Sequence, residues 1–350
     1  MVSLALIGVT LAPVVKSPKW YVRIWEFPRL QIAIGLALAI ASQIAFVQPN
    51  AAGGLLLAAS LGCLALQTWR IYPYTPFHPV QAIAAEQSDP ENTVRLLIAN
   101  LLQDNRNADS FLRLIQREDP DLVLAVEADR WWDRQLAVLR RGYTQTVRHP
   151  LENTYGMLLF SRLPLTDILV QDRVTQGIPS IFARVRLRSG RQFDLYCIHP
   201  EPPKPATDVE ERNAELLLVA SDVSRAGRPA IVCGDLNDVA WSHTTRLFQR
   251  TGRLLDPRVG RGIYPTFHAG YPFARWPLDH VFHDASFRLG RLQILEAFGS
   301  DHFAVCIDLV HDPAAAAAQE PPAPERGDRS EAAGAIEEGS RAAADKNRSS

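Results

Sequence analysis

Two regimes of hydrophobic pattern divide the chain. Met1–Val15 and Leu30–Trp69 carry no charged side chain, and Gln48-Pro49-Asn50 interrupts the longer stretch near its middle. A bilayer-spanning helix needs roughly 20 apolar residues. The pattern therefore predicts spans at Leu30–Val47 and Ala51–Trp69, joined by a tight turn. Met1–Val15 is short for a span and lacks the basic start and small-residue cleavage site of a signal peptide, so it predicts a shortened first span. A buried helical hairpin is the competing account, and two such long uncharged runs argue against it. Trp20, Tyr21, Trp25, Trp69, Tyr72 and Tyr74 flank these segments, and such residues suit a membrane–water interface.

From Val94 to Leu309 the period changes. VRLLIA (94–99), LVLAVE (122–127), GMLLFS (156–161), SIFARVRL (180–187), QFDLYCI (192–198), AIVCG, PLDHVF and FAVCIDL read as strands. Between them ADSFLRLIQRE (108–118), WWDRQLAVLRR (131–141) and the stretch 208–226 space their apolar residues as helices do. Strands in clusters with helices between predict an α/β fold of packed sheets covered by helices. Residues 71–93 read as a proline-rich linker. Residues 311–350, rich in Ala, Glu, Pro, Arg and Ser and free of aromatics, predict a disordered tail.

Charge refines the picture in two places. The formal net charge of −1 over 350 residues gives no overall basic field. Locally, Lys16, Lys19, Arg23 and Arg29 stand against Glu26 alone between the first two apolar segments. By the positive-inside rule that loop is cytoplasmic, and two further crossings return the chain to the same side. A multi-pass protein of the inner (cytoplasmic) membrane with its globular part in the cytoplasm is expected. The four cysteines lie far apart without a CxxC pair, which disfavours both disulfide and zinc frameworks.

The polar residues that interrupt the strand pattern fall at strand ends. Asn100 closes one strand and Glu127 another; His199 follows QFDLYCI, and Asp235 with Asn237 follows AIVC. Asp279 lies inside PLDHVF, and Asp301-His302 immediately precede FAVCIDL. One polar strand end is an ordinary turn; this many point to a shared site. Amide and carboxylate oxygens are hard ligands suited to Mg²⁺ or Mn²⁺, and the histidines can orient or protonate phosphate oxygens and a leaving group. No phosphate-binding GxxxxGK[ST] loop, HExxH zinc pattern or GxSxG elbow is present. Metal-assisted hydrolysis of a phosphate ester fits this inventory.

At these residues the sequence resembles the endonuclease/exonuclease/phosphatase superfamily of DNase I-like enzymes. LLIANL, DLVLAVE, YGMLLFSRLPL, CIHP, GDLND, PLDHVF and SDHF occur in the family order over residues 94–310. With the apolar segments before it, the chain is similar to a membrane-anchored bacterial branch. The resemblance implies a four-layer α/β/β/α sandwich behind two or three transmembrane helices. It also implies Glu127 as main metal ligand, with Asn100 and Asp301 completing the site. Asp235 would deprotonate the attacking water and Asn237 would bind phosphate. His302, oriented by Asp279, would contact the scissile phosphate, and His199 would stabilise the phosphate or assist the leaving group. His280 and Ala304 stand where many relatives have Tyr and Pro.

The expected substrate is a phosphate ester of nucleic acid or lipid head group. Arg258, Arg261 and Arg275, interleaved with Tyr264, Phe267, Tyr271 and Trp276, are the expected phosphate contacts; packing of a long loop is the alternative for the aromatics. A phosphodiesterase of the nuclease type leads, a phospholipid, phosphoinositide or sphingomyelin hydrolase follows, and a catalytically silent membrane scaffold is the third possibility. Apart from the bilayer, no specific protein partner is implied.

Overall fold

The computed structural model describes residues 1–15, 17–46, 50–87, 89–205 and 208–349. Lys16, counted among the loop charges, and Val47, Gln48 and Pro49 at the expected turn lie outside them. The chain forms two compact units.

The first unit comprises Met1–Pro79 with Pro203–Val209 and Val259–Gly262. Its helices are α1 (Val2–Leu11), α2 (Trp20–Arg23), α3 (Arg29–Phe46) and α4 (Ala51–Ile71). The Asn50 side chain caps α4 by accepting from the Gly53 amide at 2.8 Å. α3 and α4 are long and apolar enough to cross a membrane, and most of their surface is not buried within the protein. α1 is held against them by polar contacts. The Gln67 amide donates to Thr10 at 3.1 Å and Gln43 donates to Ser3 at 2.9 Å, while Arg29 donates to Gln67 at 3.0 Å and joins α3 to α4. Arg23 and Arg29 each lie 3.6 Å from Glu26 and are buried with it, so only part of that loop's positive charge faces solvent.

The second unit comprises Val80–Pro202, Glu210–Arg258 and Ile263–Ser350. One sheet contains six strands: β1 (Thr93–Asn100), β2 (Leu122–Val126), β3 (Gln145–His149), β4 (Met157–Ser161), β10 (Phe287–Ile294) and β11 (Val305–His311), in the order β10-β11-β1-β2-β4-β3. The other is β5 (Leu165–Asp172), β6 (Pro179–Arg186), β7 (Gln192–Cys197), β8 (Ala230–Asp235) and β9 (Asp279–His283), in chain order. Each sheet has one parallel pair, β1–β2 and β7–β8, and antiparallel neighbours elsewhere. Leu96, Leu124 and Leu159 from the first sheet share a core with Ile181, Leu195 and Ile231 from the second. The outer face of the first sheet packs on α5 (Ala108–Glu118) and α6 (Arg130–Gln135) through Phe111 and Trp132. The outer face of the second packs on α7 (Glu210–Ala226) and α8 (His243–Gly252) through Leu216, Val219 and Phe248. The result is a sandwich of two mixed sheets covered by helices.

The strands missing from the sequence pattern are β3, β5 and β10, all at sheet edges. β5 is largely exposed and β10 is interrupted by a bulge between Leu289 and Arg291, so neither shows clean alternation. Part of the linker closes one edge: Ala85 donates to the Leu289 carbonyl at 2.8 Å.

The tail departs from expectation. Residues 313–317 form a short 3₁₀ turn and Asp328–Ser349 forms a helix, α9. Ala332, Ala335 and Ile336 of α9 join the apolar cluster of the second sheet's helices. A Cβ on Gly339 would collide with the Glu210 carbonyl and lie 2.6 Å from Ala214 Cβ, so glycine permits the close approach to α7. The low aromatic content that suggested disorder is offset by Ala-rich helix propensity and by apolar residues three and four apart on one face.

Glu215 on α7 is buried, and its carboxyl faces the Ser180 hydroxyl of β6 at 2.5 Å. Burial raises its pKa from 4.5 to about 7. Because the folded state favours the protonated acid, this contribution to stability is full below the unfolded pKa and is lost as pH rises through the folded one. The loss between pH 4.5 and 8 is about 3 kcal/mol, at 1.36 kcal/mol per unit. Glu215→Gln is expected to flatten that decline and to be the more stable protein at pH 8. Denaturant midpoints of both proteins at pH 5 and pH 8 check it; parallel declines would show that Glu215 does not titrate in this window.

Candidate active site

The sheet topology explains why the polar strand ends meet. The parallel strands β1, β2, β7 and β8 all point their C-terminal ends at one rim, delivering Asn100, Glu127, His199 and Asp235. Antiparallel β9 and β11 bring their N-terminal ends there, delivering Asp279 directly opposite Asp235, and His302 just before Val305.

Asp235 is the hub. Its Oδ2 accepts from Asn100 Nδ2 at 3.0 Å, and lies 3.6 Å from His302 Nε2 and 3.9 Å from His199 Nε2. Its Oδ1 accepts from the Asn237 backbone amide at 2.9 Å. Gly234 makes this placement possible: its φ is +140°, and a Cβ there would run into the Ile198 carbonyl of the adjacent strand. Asn237 itself has φ +50°. Its side chain donates to the Pro200 carbonyl at 2.9 Å, tying the loop after Asp235 to the loop after His199.

Glu127 follows β2 with φ +57°, a left-handed conformation costly for a residue with a Cβ and common at functional sites. Its Oε1 accepts from Asn100 Nδ2 at 2.8 Å and its Oε2 from the Gln103 amide at 3.2 Å. The Asn100 carbonyl accepts from Ser300 Oγ at 2.8 Å, joining the strand end to the Asp301-His302 turn. His302 Nδ1 pairs with Asp279 Oδ2 at 2.8 Å.

The electrostatics are those of an acidic pocket with one cation. Burial raises the Glu127 and Asp235 carboxyls above the usual carboxylate range, Asn100 opposing it at both. Burial works against a charged His302, but Asp279 and Asp235 overcome it and push the ring up to about 10. Burial pushes His199 down, towards the neutral ring. No Lys or Arg among the described residues pairs with Glu127, Asp235 or Asp279, and Asp279 Oδ1 and His199 Nδ1 are buried without a hydrogen-bond partner. Uncompensated buried carboxylates are costly, and a divalent cation would relieve that cost. One oxygen or nitrogen from each of Asp235, Asp279 and His302 lies within 4.8 Å of the others, so this cluster could hold a metal ion. Of the other expected ligands, Asn100 turns its Nδ2 towards Glu127 while its Oδ1 accepts from the Leu102 amide at 2.9 Å, and Asp301 acts electrostatically on Glu127.

The arginines expected at the substrate do not gather here. Arg258 is buried; it bonds Asp256 through Nε and Nη2 at 2.9 and 2.8 Å, and Nη2 lies 2.6 Å from His280 Nδ1. Its charge is used internally, which corrects the expectation of a phosphate contact. His280 completes the same network through Nε2 and the Asp238 carbonyl at 2.8 Å. Arg261 lies in the segment that groups with the N-terminal unit. Arg275 lies over the Phe303 ring and donates to the Ala269 carbonyl at 3.1 Å, while the Ala269 amide donates to the Asp301 carbonyl at 2.7 Å. It therefore braces the 267–276 loop beside the site.

Sequence reasoning missed two residues. Tyr155 places its ring 5.4 Å from His199 and feels the charges of Glu127 and Asp235; it sits inside YGMLLFSRLPL, the signal that could have found it. Arg212, fully buried on α7, donates to the Asn237 carbonyl at 2.8 Å and lies 3.5 Å from Asp238. Nothing in the helical pattern of 208–226 marks it, because its partner is fixed only by tertiary packing.

Comparison with known proteins places this architecture. The endonuclease/exonuclease/phosphatase family matches residues 94–302, which is more than half of the chain and contains every site residue named above. The chain belongs to that family. Its members are phosphoester hydrolases. Among solved structures, an endonuclease/exonuclease/phosphatase from Beutenbergia cavernae superposes with a TM-score of 0.52 at 19% identity, covering 63% of this chain and 72% of that one. The human Nocturnin catalytic domain with bound sulfate gives 0.52 at 18%, covering 67% and 97%. D. rerio TDP2 complexed with a single-strand DNA product gives 0.51 at 14%, covering 62% and 98%. At these identities the likeness is one of fold. No curated protein matches the chain.

Proposed function

We propose that this family member is a membrane-anchored, divalent-metal-dependent phosphodiesterase of the nuclease type, facing the cytoplasm. The observation that carries the reading is the continuous constellation Glu127–Asn100–Asp235–His302–Asp279, in which a buried carboxylate stands between an amide and an imidazolium with no basic partner to neutralise the glutamate. Glu127 with Asn100 and Asp301 would hold Mg²⁺ or Mn²⁺, which would supply positive charge to a phosphoryl oxygen. Asp235, made more basic by burial, takes the proton of the attacking water. The water oxygen bonds to phosphorus as the bond to the leaving oxygen breaks. The His302 imidazolium, held by Asp279, would meet the charge building on the phosphoryl oxygens and give its proton to the leaving oxygen, while His199, a neutral ring with Tyr155 against it, would stabilise the phosphate. Asn237 commits one Nδ2–H to the Pro200 carbonyl and would donate the other to a phosphate oxygen.

Nucleic acid is the proposed substrate because Tyr271 and Phe273 stand 63% and 90% exposed on the loop that reaches the site through Phe267, whose ring lies 4.9 Å from His302. Exposed aromatics stack bases. A second reading, hydrolysis of a lipid phosphoester, is favoured by the apolar α3 and α4 and by the internal use of Arg258, which removes one expected backbone contact. The test is hydrolysis by the full chain in bilayer discs, with Mg²⁺, Mn²⁺ or chelator. The substrates are single-stranded, duplex and abasic DNA, RNA, and vesicles carrying phosphoinositide or sphingomyelin. Metal-dependent cleavage of oligonucleotides supports the first reading and of lipid alone the second. A folded, metal-binding protein that cleaves none of them would be a silent scaffold.

A further inference from the structure

We propose that α9 is a positioning element of the active site, holding the two loops that carry His199 and Asp235. This inference rests on the catalytic assignment above only for its activity arm. α9 is fastened along its length. Asp328 takes a bidentate pair from Arg250 at 2.8 and 2.9 Å, Glu331 pairs with His243, and Lys346 pairs with Glu201 at 3.0 Å. The last contact matters most, because Glu201 is two residues beyond His199 and its side chain is nine-tenths buried. Between these anchors Gly339 seats the helix on the first turns of α7, against the Glu210 carbonyl and Ala214.

Those same turns carry Arg212, whose guanidinium holds the Asn237 carbonyl and stands by Asp238. Asn237 in turn closes the circle by donating to Pro200. A path of direct contacts therefore runs from Lys346 to Glu201 and the His199 loop, and from Gly339 through α7 and Arg212 to the loop behind Asp235. Both loops contain left-handed or unpartnered groups, Asn237 at φ +50° and His199 Nδ1, which persist only where the surroundings fix them. The surface contact of Lys346 is worth little as stability; its use is to fix geometry. Residues that touch no substrate thus set how often the catalytic pair is correctly placed, which acts on kcat rather than KM.

The experiment compares full-length wild type with Gly339→Leu, Lys346→Glu, Glu201→Lys and the Lys346→Glu/Glu201→Lys double variant, by amide hydrogen exchange and by turnover. Gly339→Leu is expected to speed exchange at residues 199–202 and 235–239 by about tenfold, leaving the β1, β2 and β4 amides unchanged, as for local opening. Its kcat should fall by a similar factor with KM within about twofold. Lys346→Glu should lose about threefold in kcat, the scale of a partly exposed ion pair, and the double variant should recover it. Unchanged exchange in the two loops would overturn the proposal. So would acceleration spread evenly over the domain, which marks a merely structural helix. If wild type hydrolyses no substrate offered, the catalytic assignment fails, and the exchange pattern alone still decides whether α9 holds the loops.

Discussion

Asp235→Asn is expected to lower kcat by about three orders of magnitude, within the range for removing a general base, while leaving the domain folded. The two halves of this expectation have separate grounds. Catalysis suffers because the amide has no basic oxygen, yet it keeps the volume and accepts the Asn237 backbone hydrogen bond in the same place. Folding does not suffer because the carboxylate is buried and disfavoured in its charged form by that burial. The His302 imidazolium, 3.6 Å from Asp235, keeps its 2.8 Å partner Asp279 in the variant, so no buried cation is stranded. Single-turnover rates on the best substrate and thermal unfolding of the same preparations make the check. A rate within tenfold of wild type would show that another group takes the proton. A rate loss matched by a lost unfolding transition would show only misfolding.

Glu127→Gln is expected to reverse its stability rank with metal. In chelator the variant should unfold at or above the wild-type temperature, since Glu127 is a desolvated carboxylate among others with no basic partner among the described residues. With Mg²⁺ or Mn²⁺ at a hundred times its dissociation constant, wild type should gain about 2.7 kcal/mol by mass action, and the variant should gain little. Activity should follow the metal, vanishing in chelator and returning on its restoration. A glutamate that merely anchored the chain would destabilise in both conditions when changed. The same titration on Asp279→Asn decides between the two oxygen-bearing sets. Loss of the metal-dependent gain there, with Glu127→Gln unaffected, would move the ion to Asp235, Asp279 and His302.

Much of this was legible in the one-dimensional pattern, and the reasons are local. The apolar runs that became β1, β2, β4, β6, β7, β8, β9 and β11 are buried on at least one face, so period and run length betray them. Edge strands β3, β5 and β10 lack that pressure and carry no such mark. The uncharged lengths of α3 and α4 fix their bounds to within two residues of the sequence expectation. The order of Asn100, Glu127, His199, Asp235, Asp279 and His302 identified the candidate site because each breaks a buried strand with a group that is costly to bury alone.

Other features depended on where the chain returns. Arg258 beside aromatics looks in sequence like a phosphate contact; only the fold shows Asp256 and His280 already occupying it. Arg212 and Glu215 sit on one helix, and one braces the catalytic loop while the other faces Ser180. Composition alone makes residues 328–349 a solvated tail, yet Gly339, Ala332 and Ile336 find a partner surface on α7 and its neighbours. Burial and periodicity act over a few residues at a time, so the apolar helices, the layered α/β core and the identities of the acid, amide and imidazole groups are readable along the chain. Tertiary structure alone decided which charges are spent inside the protein and which remain for chemistry, because a charge is neutralised by whatever group the fold brings within a few ångströms, however distant in the chain.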